Sequence, residues 1–155
     1  MPLQILDFPP ARVAALRYTG PYGPALGTFW RAQFLPWCAA SAMDATAICY
    51  GIGLDDPVHT PPELCRYDAC VEVTKQTPIV APAHELNLPG GRYAVFDFHG
   101  DTRDIGAAWQ AMFSELLPAQ GLTMDARPCF ERYRPGDRTD PDTGLFSCQI
   151  CVAIR

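Results

Sequence analysis

Displaced by 80 positions along itself without a gap, the 155-residue sequence brings like patterns into register. Arg12-Val13-Ala14 meets Arg92-Tyr93-Ala94, Gly20 meets Gly100, Phe29 meets Trp109, and Cys49-Tyr50 meets Cys129-Phe130. Identities are few. The shared order of elements is the stronger constraint, because both copies must adopt one supersecondary unit and bury it against each other.

Each half reads strand, helix, strand, loop, strand. In the second half RYAVFDFHG is rich in aromatic and β-branched residues and opens on the turn Pro89-Gly90-Gly91. Ile105, Ala108, Trp109, Met112, Phe113 and Leu116 then recur at helical spacing, with Asp101, Thr102 and Asp104 as cap candidates. CFERY is the next strand, RPGDRTDPDTG the loop, and FSCQICVAIR the closing strand. In the first half RVAALRYTG, AICYGIG and CRYDACVEV are the strands, and Leu26, Phe29, Trp30, Gln33, Phe34 and Trp37 the helical stripe. The alternation of CRYDACVEV has the opposite parity from its counterpart, which a bulge or a one-residue slip accounts for. The proline-rich joining segment leaves room for a short strand at His84 to Leu88, but not a central one. The expectation is one α+β domain over residues 1–155, made of two repeats (about 3–75 and 83–155), with one sheet and two helices on one side.

Composition narrows function. Apolar residues are 48% of the chain and charged residues 19%, as in a folded domain. Net charge is -5 and the basic residues are scattered, so nothing neutralises a row of phosphates and direct nucleic-acid binding is not expected. The N-terminus lacks the pattern of a signal peptide and no apolar run could span a bilayer, so the expectation is a cytoplasmic protein with reduced thiols. The terminal Cys148-x-x-Cys151 is read as strand, which sends the two thiols to opposite faces and excludes a shared ion or a bridge.

The chemistry concentrates on CFERY. By parity Cys129, Glu131 and Tyr133 share one face, and the matching first-half positions are Cys49, Gly51 and Gly53. An acid and a phenol thus stand against two glycines, which mark close approach to the backbone. A competing reading pairs Glu131 with Arg92, Arg132 or Arg134. Tyr67 and Tyr133 need hydroxyl partners and are the better cleft aromatics, and aromatic walls around a carboxylate suit a flat or cationic organic ligand. His59, His84 and His99 are widely spaced, no serine sits in a nucleophile elbow, and Asp55-Asp56 reads as a solvated turn. No metal and no cofactor is expected.

The segments RVAALRYTGPY, YGIGLDDP, CRYDACVEV, LPGGRYAVFDFHG and RPCFERY, in this order, resemble the GyrI-like small-molecule-binding family. That family includes a bacterial DNA gyrase inhibitory protein and the effector-binding domains of AraC-type and MerR-type regulators. The resemblance implies a duplicated βαββ unit, an antiparallel sheet curved around a central cleft with two helices behind it, and a cleft that takes hydrophobic, often cationic, compounds. Glu131 and Tyr133 match the acid and the tyrosine of the family's Pro-x-Phe-Glu-x-Tyr segment, and Gln149 stands where many relatives carry a second acid. Tyr67 and Trp109 are the expected walls, with Gln149 tuning hydrogen bonding.

The expected function is a stand-alone binder that senses or sequesters a small aromatic, possibly cationic, compound, because the chain leaves no residues for a DNA-binding domain. Two alternatives stay open. One is a hydrolase of strained or electrophilic small molecules, of the cyclopropanoid type, with Glu131 as catalytic base, which Gln149 in place of the second acid argues against. The other is an inhibitor acting by contact with gyrase, or a partner of a regulator, with no membrane association.

Overall fold

A computed structural model of the chain describes residues 3–137, 139–140 and 142–155. Two positions of the expected 134–144 loop, Arg138 and Pro141, lie outside the described residues. Eight strands form one antiparallel sheet: β1 (Gln4–Phe8), β2 (Ala11–Thr19), β3 (Cys49–Gly53), β4 (Arg66–Glu72), β5 (His84–Leu88), β6 (Gly91–Gly100), β7 (Phe130–Tyr133) and β8 (Phe146–Ala153). Their spatial order is β1-β6-β8-β7-β3-β4-β2-β5. The proline-flanked segment at His84 is an edge strand, as its sequence requires.

The repeat reappears in the pairing. β1 pairs with β6 of the other half, Gln4 opposite Val95, and β5 pairs with β2, His84 opposite Ala15. Each half therefore lends its first strand to the other, so neither closes its sheet alone. The sequence pattern gave no sign of β1. The parity mismatch is a one-residue slip: Tyr18 pairs with Tyr67 but Phe98 with Cys148, so the last strands stand 81 positions apart where the others stand 80.

The sheet curls into a half-barrel whose inner face receives side chains from all eight strands, including Val13, Tyr50, Tyr93, Val95, Phe130 and Cys151, with Phe8 and Leu86 packed on them. Burying one such side chain contributes about 1.5–3 kcal/mol. The turn after β1 meets the turn before β6: a Cβ on Gly90 would lie 2.6 Å from the Phe8 carbonyl oxygen, and its φ is +73°. Arg127 fastens this end. Its Nη1 donates to the Gly90 carbonyl (2.8 Å), its Nη2 to those of Arg92 and Ile154 (2.9 Å each), and its Nε to Asp125 (2.8 Å). The guanidinium also lies 4.8 Å from the centroid of the Tyr93 ring. An ammonium cannot reproduce this fork, so Arg127→Lys is expected to lower unfolding free energy by about 2 kcal/mol in urea titration. A loss under about 0.5 kcal/mol, the range of an ordinary surface substitution, would contradict this role.

Both helical runs cover the outer face. The first comprises α1 (Pro24–Phe29), a π turn (Trp30–Phe34) and α2 (Leu35–Ala40). The second comprises α3 (Ile105–Ala111), a π turn (Met112–Leu116) and α4 (Leu117–Ala119). Each π turn directly precedes a Leu-Pro pair, Leu35-Pro36 and Leu117-Pro118. A proline has no N–H for the carbonyl four residues back, and its ring would strike that carbonyl; the wider turn accommodates it. The widening also rotates the stripe: Met112 and Leu117 are buried, whereas Phe113, expected to pack, is 41% exposed. Phe29 and Phe34 pack on β2 and β4, and Met112 and Leu117 on β6 and β8. Among the described residues no helix is long and apolar enough to cross a membrane.

Candidate functional site

Gly51 and Glu131 pair directly across β3 and β7. They are also equivalent positions of the repeat, so its pseudo-twofold axis runs between them. Two glutamates here would set like charges opposite each other. Instead one half supplies a carboxylate and the other no side chain. The space goes to Tyr67: a Cβ on Gly51 would fall 1.8 Å from the Tyr67 Oη and 2.8 Å from Glu131 Oε1.

Glu131 is 8% exposed and points to the outer face, between the two helical runs. The helices thus stand on the same side of the sheet as Glu131 rather than behind it. Tyr67 and Tyr133 hydroxyls each donate to Glu131 Oε1 at 2.9 Å, and Trp109 Nε1 donates to Oε2 at 2.9 Å. Trp30 Nε1 in turn donates to the Tyr67 hydroxyl at 3.3 Å. The Trp30 ring lies 5.1 Å from that of Tyr133, and Tyr22 meets Tyr67 edge-on at 6.0 Å.

None of the three arginines that could have neutralised Glu131 does so. Arg92 donates to the Arg155 carbonyl, Arg132 to Gln149, and Arg134 to Asp137. Burial pushes the Glu131 carboxyl above its ordinary value, and the hydrogen bonds from Trp109, Tyr133 and Tyr67 only partly pull it back. Burial, and then the neighbouring Glu131 charge, raises both phenols well above theirs, so they remain donors. Three of about four acceptor positions on the carboxylate are met by neutral donors, and the charge itself has no counter-ion among the described residues.

Of the residues singled out in the sequence, Glu131, Tyr133, Tyr67, Trp109 and Gly51 come together here. Gly53 does not belong to the close approach: it is exposed, and a Cβ there would meet Tyr22 only at 3.7 Å. Gln149 requires a correction. Ile150, not Gln149, is opposite Glu131, so Gln149 points to the inner face, where its Oε1 accepts from Arg132 Nη1 at 2.8 Å. The slip makes it the counterpart of Asp68, which is buried on that inner face under Arg17. Cys148 and Cys151 take opposite faces as expected. Trp30 was read only as helix packing; the signal was its indole N–H, which seeks a partner when buried.

A duplicated α+β half-barrel with two helices over a buried, aromatic-ringed carboxylate defines a small-molecule-binding domain. The chain belongs to the family of the GyrI-like small molecule binding domain, which it matches over residues 1–155. It is 34% identical over 155 residues to YosT, an SPbeta prophage-derived protein of Bacillus subtilis (strain 168), covering 100% of both chains. It is 30% identical over 147 residues to a DNA gyrase inhibitor of Edwardsiella piscicida, covering 91% of this chain and 90% of that one. Among solved structures, SAV2435 bound to tetraphenylphosphonium shares the fold, with a TM-score of 0.63, 16% identity and coverage of 100% of this chain and 94% of that one.

Proposed function

We propose that the chain binds a lipophilic or aromatic organic cation in the groove between its two helical runs, with Glu131 as counter-charge and Trp30, Trp109, Tyr67 and Tyr133 as walls. The observation that carries this is a buried carboxylate whose partners among the described residues are all neutral. The tetraphenylphosphonium bound to SAV2435, of the same fold, supports a cationic ligand. Trp109 already occupies Oε2, so a ligand that reaches this oxygen displaces the indole. Thermal-shift screening of aromatic cations against neutral isosteres tests the reading. A ligand at 100 times its dissociation constant adds about 2.7 kcal/mol of stability. Cation-selective shifts are expected, and equal shifts from neutral compounds would contradict it.

Affinity for the cation is expected to rise with pH. Below its raised value Glu131 is neutral and offers no charge, so binding weakens by up to about tenfold per pH unit and releases a proton. The free protein changes in the opposite sense. A carboxyl whose folded value is raised contributes stability that is fully present below its unfolded value and is lost as pH rises through the folded one. Calorimetry in two buffers of different ionisation enthalpy reads the proton release, and an affinity that is flat with pH would contradict an ionising Glu131.

The similarity to a DNA gyrase inhibitor supports a second reading, contact with gyrase. A supercoiling assay with and without the chain in excess separates the two.

A further inference from the structure

We infer that the ligand of this site is an aromatic zwitterion rather than a plain cation, its positive end at Glu131 and an anionic group held by Arg31 in the adjoining cleft. This rests on the reading of Glu131 above. A cleft of about 300 Å³ opens between α1, the turn after β6 and the segment leading into β8, with Gly27, Arg31, Thr102, Arg103 and Gly144 on its walls. Helix and turn approach closely: a Cβ on Gly27 would lie 3.2 Å from the Thr102 methyl and 3.2 Å from Arg31 Nη1. Gly27 thus lets the Arg31 guanidinium lie back along its own helix, at the cleft wall.

The charges there are unequal. Asp101 accepts from Arg103 Nη2 at 2.8 Å and from the backbone N–H groups of Arg103 and Asp104, which makes Arg103 and Asp101 a closed pair. Arg31 is exposed and makes no hydrogen bond or ion pair among the described residues. Among the described residues it is the one uncompensated charge on the wall, and its fork suits a carboxylate or another planar oxyanion.

Two chain neighbours connect the cleft wall to the aromatic layer around the carboxylate. Arg31 follows Trp30, whose ring is 5.1 Å from that of Tyr133, and Tyr133 donates to Glu131. Gly144 lies two residues before Phe146, whose ring is 6.2 Å from the same tyrosine. A rigid molecule stacked on that layer, cationic at one end and anionic at the other, meets both charges.

Fluorescence anisotropy with two matched dyes tests this: rhodamine 19, a xanthene cation with a free carboxylate, and rhodamine 6G, its ethyl ester. Wild type is expected to bind the zwitterion about fivefold tighter at low salt, the range of an exposed ion pair, with the preference shrinking as sodium chloride is added. Arg31→Gln should abolish the preference and leave rhodamine 6G affinity unchanged, and Arg31→Glu should reverse it. A wild type that favours the ester or binds both equally overturns the inference, as does Arg31→Gln that keeps the preference. Glu131→Gln separates the underlying reading, since it should weaken both dyes alike. A chain that binds neither dye overturns both.

Discussion

Gly51→Ala is expected to lose about 4 kcal/mol of unfolding free energy, with a fall in Tm of roughly 10 °C for a chain of this length. The added methyl would stand 1.8 Å from the Tyr67 Oη, 2.7 Å from its Cζ and 2.8 Å from Glu131 Oε1. Tyr67 is 3% exposed and fixed by Trp30 and Glu131, so its ring cannot retreat without breaking both hydrogen bonds. Overpacking contributes about 1–3 kcal/mol and the disrupted buried acceptor about as much again. Gly53→Ala, two residues along the same strand, meets nothing closer than 3.7 Å and should stay within about 0.5 kcal/mol of wild type. Urea titration of the two variants reads the contrast. A loss under 1 kcal/mol in Gly51→Ala would mean that the pairing of glycine with glutamate on the pseudo-twofold axis is not what makes room for Tyr67.

Much of this was legible in the sequence because the repeat and the strand period act together. Phe146, Cys148, Ile150, Val152 and Ile154 alternate in the sequence, and all five enter the outer-face core. The parity of CFERY likewise sends Glu131 and Tyr133 outward and Phe130 to the inner core. Three features were not legible. β1 lacks the length and turn signals of its neighbours, and its place depends on a partner strand in the other half. The one-residue slip of β8 shows only as a parity conflict, and resolving it moves Gln149 to the face opposite Glu131. The π turns break the helical spacing that a 3.6-residue period assumes, which is why Phe113 is exposed.

The physical core of the site is a charge held by geometry, without a counter-ion among the described residues. Tyr67, Tyr133 and Trp109 orient the carboxylate, and none of them cancels it. A glutamine in its place accepts the same two phenols at one oxygen but turns an amide N–H toward the Trp109 N–H, and it carries no charge. The fold should therefore survive Glu131→Gln while cation binding does not. Calorimetric titration with tetraphenylphosphonium, wild type beside Glu131→Gln, measures this directly. Wild type is expected to bind the cation and to discriminate against neutral triphenylphosphine oxide, and the variant to bind the cation at least about thirtyfold more weakly, a difference of about 2 kcal/mol. Equal affinity of both proteins for tetraphenylphosphonium would contradict Glu131 as the counter-charge of the site.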